Sequence, residues 1–109
     1  MNEQILTLEN EADQLRGEGK YEDAIKKLEE ALGMDENFVR GHLGLSVLYH
    51  HVKDYAKSCY HGEKACELEP NDVFNLSALS VTYQRAFEGT RDEIYIQKAE
   101  EAMAKSRGV

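Results

Sequence analysis

The sequence predicts an all-α fold in which three helical hairpins stack into a solenoid, and three observations lead to it. Residues of similar type recur every 34 positions, as at Ile5, Val39 and Val73. The turn sequence MDEN at 34–37 recurs as LEPN at 68–71. Apolar residues follow the spacing of amphipathic helices, and a composition with one proline favours helix over strand. Since a repeat of this length is the signature of stacked units, we expect a right-handed solenoid of six antiparallel helices in a single domain.

The first unit, about residues 5–38, is predicted to hold two helices separated by the sequence GEGK. One apolar helical face ends at Leu15, and a second begins at Tyr21. Gly33 follows this second face directly, at a position where helices favour glycine.

The second unit, about residues 39–72, repeats this pattern of two apolar helical faces. Asn37 is predicted to cap its first helix. Pro70 ends its second helix, and Asn71 or Asp72 is predicted to cap the helix that follows.

The third unit, about residues 73–107, departs from the register of the others. Its first helix is predicted to end at the EGT sequence of 88–90, and its last helix to cover about residues 91–106. The second helix matches those of the other units only after about seven extra residues, so we expect a longer turn or an extended first helix. The residues that match in this way are Ile96, Ala99, Met103 and Ser106.

Small side chains recur at equivalent positions of the predicted helices. A small side chain lets two helices approach closely while a larger neighbour fills the remaining gap. Their recurrence indicates that the same helix packing recurs in each unit. The positions are Ala12, Ser46 and Ser80 in the first helices, and Ala24, Ala31, Ser58 and Ala65 in the second helices.

Charge and composition exclude several classes of protein. A net charge of −8 without clustered Lys and Arg does not suit a phosphate-binding surface, so we expect no nucleic-acid partner. No apolar run approaches a membrane span, and the N-terminus lacks the features of a secretory signal. We therefore expect a cytoplasmic protein without a membrane partner. The acidity lies mostly in residues 1–37, where a solvated helix face explains it better than a docking site for a basic partner.

The two cysteines, Cys59 and Cys66, are predicted to be reduced thiols. They lie seven residues apart in a predicted helix, a distance of about 10 Å, which is too far for a disulfide within one helix. Their spacing also lacks the CxxC pattern of redox and metal motifs.

These patterns together resemble the tetratricopeptide repeat (TPR) family, whose units are 34-residue helix–turn–helix hairpins with the pattern W-x2-L-G-x2-Y, then alanine, a large apolar residue and proline. The resemblance covers nearly the whole chain. The first half of the pattern corresponds to Leu8, Glu11, Ala12 and Leu15, then to His42, Leu45, Ser46 and Tyr49, and then to Leu76, Leu79, Ser80 and Tyr83. The second half corresponds to Tyr21, Ala24, Leu28, Ala31 and Glu36, and then to Tyr55, Ser58, Gly62, Ala65 and Pro70.

The resemblance implies a non-enzymatic protein-interaction module that binds a peptide or a partner helix in a concave groove. The first helix of each unit would line this groove. Arg40, His50, Phe74 and Arg85 are the expected anchors, because Arg and aromatic residues dominate binding hot spots. The groove residues implied are Leu6, Glu9, Asp13 and Arg16 from the first unit, Arg40, Leu43, Val47 and His50 from the second, and Phe74, Ser77, Val81, Gln84 and Arg85 from the third.

One group of TPR domains clamps the C-terminal carboxylate of chaperones with Lys, Asn and Arg side chains. The matching residues here are Glu9, Asp13, Val47, Ser77 and Val81. None of them binds a carboxylate in that way, and the two acidic ones would repel it. We therefore expect that this chain is not a clamp for chaperone C-termini.

One alternative is an oligomerisation or scaffold unit. The array lacks the extra C-terminal helix with which many family members cover their last repeat, so Ile94 and Met103 are expected to be partly exposed. Open solenoid ends with exposed apolar residues favour self-association. This alternative predicts a weak homodimer.

A more remote alternative is a metal-binding domain, because His42, His50, His51, His61 and Cys59 lie close together in the sequence and suit zinc. Adjacent His50 and His51 point about 100° apart on a helix, however, and no HExxH motif is present. His42 occupies a packing position. A third interpretation makes His50 and His51 a pH-sensitive element at the groove, because histidine titrates near neutrality. We expect no metal, no cofactor and no catalytic residue.

Overall fold

The computed structural model describes residues 2–108 and confirms the all-α prediction. These residues form no strand. The six helices are α1 (Glu3–Gly17), α2 (Tyr21–Met34), α3 (Val39–His51), α4 (Tyr55–Leu68), α5 (Val73–Thr90) and α6 (Ile94–Ser106).

The helices pack as three hairpins in chain order. α1 packs on α2, α3 on α4 and α5 on α6, and successive hairpins meet where α2 contacts α3 and where α4 contacts α5. The first helices also meet each other, because α3 contacts α5. The resulting body measures 38 × 28 × 19 Å. None of the helices in residues 2–108 combines the length and apolar character needed to cross a membrane.

The apolar core consists of separate clusters between neighbouring helices rather than one central mass. Each cluster joins side chains from at least two hairpins, so no hairpin completes its core alone. One cluster contains Ala12, Ala24, Leu28, Leu45, Leu48 and Tyr49, a second contains Cys59, Leu79, Tyr83, Ala86, Ala99 and Ala102, and a third contains Ile5, Leu8, Ala31 and Phe38.

The small residues lie where helices cross, and the serines among them have hydrogen-bond partners. Ser58 Oγ donates to the backbone carbonyl of Ser46 at 2.6 Å, and Ser80 Oγ donates to that of Ala99 at 2.9 Å. A buried hydroxyl without a partner would cost free energy, so each serine fits only where the neighbouring helix offers a carbonyl.

Two tyrosines bridge neighbouring hairpins in the same way. Tyr49 Oη on α3 donates to a carboxylate oxygen of Glu29 on α2 at 3.1 Å, and Tyr83 on α5 donates to Glu63 on α4. Burial and the adjacent carboxylate raise the pKa of Tyr49 to about 12, so the phenol keeps its proton. Both partners recur at 34 residues, so the contact is part of the repeat, although the sequence analysis did not recognise it.

Two predicted helix ends are wrong by a few residues. α2 continues through Gly33 to Met34, so this glycine lies within the last turn. Phe38, not Asn37, occupies the N-cap position of α3 and makes no side-chain cap hydrogen bond. The burial of its ring against Ile5 and Leu8 sets this helix start in place of a polar cap. Asp72 caps α5 as predicted, accepting hydrogen bonds from two backbone amides.

The irregularity of the third unit is an extension of α5, not a longer turn. The EGT residues at 88–90 are helical, and α5 ends only at Thr90, followed by Arg91 in the left-handed conformation (φ 62°). The extra turn of α5 lies against Tyr55 at the start of α4. Gly89 permits this contact, because a Cβ there would overlap the tyrosine ring. α6 then begins at Ile94 after a short connection.

Replacing Ala65 by leucine is expected to destabilise the fold. Ala65 is completely buried in α4, and extra methyl groups in such a contact force the helices apart at a cost of about 1–3 kcal/mol. Urea unfolding monitored by circular dichroism measures this change. Ala56→Leu is the matched control, because Ala56 is exposed on the same helix. Equal stability of the two variants would contradict the assigned helix packing.

Candidate peptide-binding groove

The first two hairpins are joined across their first helices by an ion pair. The guanidinium of Arg40 on α3 donates from Nε and from one terminal nitrogen to the two carboxylate oxygens of Glu9 on α1, both at 2.9 Å. The hydrogen bond from Arg40 lowers the pKa of Glu9. Arg40 also lies over the Phe38 ring, 5.3 Å from its centroid. Two of the predicted groove residues thus meet, and each largely neutralises the other.

An apolar hollow of about 440 Å³ lies between α3 and α5. Leu43 and Val47 line it from α3, and Phe74, Val81 and Arg85 line it from α5. We call these five residues the groove pocket. The Phe74 ring is 81% exposed, the most exposed large apolar side chain described.

Gly62 of α4 forms part of the floor of the groove pocket. A Cβ at this position would lie 3.1 Å from Leu79 Cδ1 and 3.3 Å from Ser46 Oγ. The missing side chain therefore lets Leu79 enter the space between α3 and α4. This brings α5 close to α3 and sets the width of the groove pocket.

His50 lies beside the Arg85 end of the groove pocket. Its ring is 6.0 Å from that of Tyr55, and its Nδ1 is buried without a hydrogen-bond partner among the described residues. Burial, and then the nearby charge of Arg85, lowers the pKa of His50. At neutral pH His50 is therefore uncharged, and Arg85 is the cation at this end.

The structure does not bring all predicted groove residues together. Leu6 is exposed on α1, and Asp13 pairs with Arg16 on the same helix at 3.9 Å. Ser77 is half-buried on α5. Gln84 lines a different hollow, between α5 and α6. The sequence register alone did not reveal this separation, because it depends on how the helices pack in three dimensions.

The four histidines do not form one cluster. His42 and His61 are buried and meet through their Nδ1 atoms at 2.9 Å, whereas His51 stacks on Tyr21 with centroids 4.5 Å apart. Residues 2–108 contain no group of three or more His, Cys, Asp or Glu side chains placed to hold a metal ion.

One proton position of the buried pair is fixed by the backbone. The Glu36 carbonyl only accepts, so His42 Nε2, at 2.9 Å from it, donates. Of the two facing Nδ1 atoms, one donates to the other. His61 Nε2 faces the Glu29 carboxylate at 3.8 Å. Burial and the neighbouring His42 and Lys57 lower the pKa of His61 to about 4, so it is neutral at pH 7.

No protein-family model matches this sequence, and no curated protein resembles it in sequence. The backbone, however, is similar to that of a solved structure, the first TPR domain of Spaghetti (RPAP3) bound to the HSP90 peptide SRMEEVD. The TM-score is 0.67 at 16% identity, and the match covers 99% of this chain and 94% of that one. The chain has the fold of a TPR domain. The resemblance read from the sequence is thus confirmed at the level of the fold, while so low an identity leaves the ligand open.

Acidification is expected to destabilise the fold through His61. Folded His61 takes up a proton only near pH 4 whereas the unfolded residue does so near 6.5, so stability present above pH 6.5 is lost as pH falls towards 4. The full shift would correspond to about 3 kcal/mol, which screening by solvent reduces to about 1–2 kcal/mol. Urea unfolding of wild type and His61→Gln across this range measures it.

The carboxylates titrate in both proteins. Their contribution therefore cancels when the free energy of unfolding of His61→Gln is subtracted from that of wild type. His51→Gln is the control, because His51 is exposed. If the free energy of unfolding of His61→Gln declines with acid as steeply as that of wild type, His61 is not the source of the pH dependence.

Proposed function

We propose that this chain is a non-enzymatic interaction module that binds a peptide segment or partner helix in the groove between its first helices. The observation that supports this most strongly is Phe74, an aromatic ring held almost fully in solvent beside an apolar hollow. Exposing such a ring costs free energy in the isolated protein, and a binding partner would recover it.

The groove pocket would take an apolar side chain of the partner. Leu43, Val47 and Val81 form apolar walls, and Phe74 would close over the inserted group. Arg85 stands at its edge, without an ion pair to any described residue, and so is available for a polar or acidic group of the partner. An apolar centre with a charged rim is the usual anatomy of a binding hot spot.

No arrangement in the groove pocket supports covalent chemistry. The buried thiol of Cys59 belongs to the core between α4, α5 and α6, and burial raises its pKa to about 11, which keeps it protonated and unreactive. Both cysteines are free, which is compatible with the proposed cytoplasmic location.

A peptide partner is also supported by the TPR domain of similar fold, which is bound to SRMEEVD. We propose that the present groove takes a different kind of peptide. A carboxylate clamp uses Lys and Asn in its first groove helix, where this chain has Glu9 and Asp13. It uses Asn in the second, where this chain has Val47, and Lys and Arg in the third, where it has Ser77 and Val81. Arg40, the nearest cation to Glu9, already donates to both of its carboxylate oxygens.

Phe74→Ala is expected to weaken partner binding at least about tenfold without loss of stability, because the ring is exposed in the free protein. Peptides selected from a display library by the wild-type chain serve as probes, with affinities measured by fluorescence anisotropy. Tyr60→Ala is the matched control, an exposed aromatic residue on α4. Equal affinities for Phe74→Ala and wild type would refute the groove pocket as the binding surface.

The chain is expected to bind SRMEEVD no more tightly than the same peptide with its C-terminal carboxylate amidated. The reason is that none of the clamp positions carries a cation, and Arg40, which faces one of them, is already paired with the Glu9 carboxylate. Isothermal titration with both peptides makes the comparison. Tighter binding of the free carboxylate form would overturn the proposed exclusion.

A further inference from the structure

The far end of the solenoid carries a second hollow, of about 620 Å³, between α5 and α6. We call it the end groove and define it by Gln84 and Phe87 of α5 and by Ile96, Met103 and Arg107 of α6. Ile96 is 42% exposed, and no residue in 2–108 covers this surface.

The end groove corresponds to surfaces that are filled elsewhere in the molecule. Leu28 in α2 and Gly62 in α4 are equivalent positions of the repeat. Met103 is their equivalent in α6 once the seven extra residues of the third unit are counted. Leu28 packs against α3, where a Cβ at Gly44 would meet its Cδ1 at 2.7 Å, and Gly62 receives Leu79 of α5. The hollow between α5 and α6 is therefore shaped to receive another helix.

The opposite end of the solenoid is not built to fill the end groove. Glu11 and Gln14 of α1 are the equivalents, 34 residues earlier, of Leu45 and Leu48, which are fully buried in α3. Where α3 carries leucine, α1 thus presents polar residues to solvent, and Glu11 is bound to Lys27 at 3.6 Å. A head-to-tail stack of copies would bury these charges, so the two ends do not complement each other.

α6 complements itself when two copies run antiparallel. Glu93 lies at its N-terminal end and Arg107 just beyond its C-terminal end. Ile96 and Met103 are seven residues apart on one face, about 10 Å along the axis. In one antiparallel register, Ile96 lies against Met103 of a second copy. The same register brings Glu93 close to Arg107 of that copy. Twofold symmetry makes each of these contacts occur twice.

We propose that the end groove is the interface of a twofold-symmetric homodimer, with α6 packed antiparallel on α6 of a second copy. In this register the two Glu100 side chains approach the symmetry axis, where their repulsion opposes association. The face of two helices is also small compared with the roughly 800 Å² per partner of stable interfaces. The dimer is therefore weak, and its interface leaves the groove pocket between α3 and α5 free.

Sedimentation velocity over a range of concentrations tests this pairing. The wild type is expected to shift from monomer to dimer with concentration, and Ile96→Glu with Met103→Glu to remain monomeric at unchanged helicity. Met34→Glu is the matched control, because Met34 is 42% exposed at the opposite end. A wild type that stays monomeric throughout, or a Met34→Glu variant that loses the dimer, would overturn the proposal.

Charge variants test the antiparallel register itself. Glu100→Gln is expected to tighten the dimer about fivefold, because it removes repulsion at the axis. Glu93→Arg and Arg107→Glu are each expected to weaken it, and the two together to restore it. An unchanged dissociation constant for Glu100→Gln, or no restoration in the double variant, would show that α6 does not pair in this way.

Discussion

Close approach of neighbouring helices at small side chains is the constraint on which the whole structure depends. Ala24, Ala31 and Ala65 are completely buried at these contacts, so each larger neighbour, such as Leu45, fills the remaining space. Protein interiors leave no room for one more methyl group at such positions. Ser58 and Ser80, which replace alanine at equivalent places, fit there because the opposite helix supplies a carbonyl acceptor.

The close approach of neighbouring helices also creates the groove pocket. With α3 and α5 held close by Gly62 and Leu79, their outer residues converge, and Val47 and Val81 come to face one hollow. The tyrosine–glutamate hydrogen bonds between successive hairpins link each first helix to the preceding second helix. The pocket is thus built on rigid helices rather than on loops, which favours a preformed binding surface.

The buried histidine pair, His42 and His61, serves the packing and lies apart from the groove pocket. The Glu36 carbonyl admits only a donor, so His42 Nε2 carries a proton, and a hydrogen bond joins the Nδ1 atoms of His42 and His61. Such a pair adds little net free energy but disfavours any packing that would leave one ring without its partner. The polar side chains of the groove, Arg40 and Arg85, lie at its surface, where a partner can reach them.

The 34-residue period by itself determined the helical hairpins, their order and most of the buried positions, because helix periodicity and small-residue spacing are local properties of the chain. The resemblance to the repeat family implied that Leu43, Val47, Phe74 and Val81 share one face, and in the structure all four line the same hollow. Only the tertiary structure decided that Arg40 is held by Glu9, that α5 extends to Thr90 and that Gln84 faces the end groove. These features depend on contacts between residues far apart in the chain, such as Tyr55 and Gly89, whose energies no local pattern records.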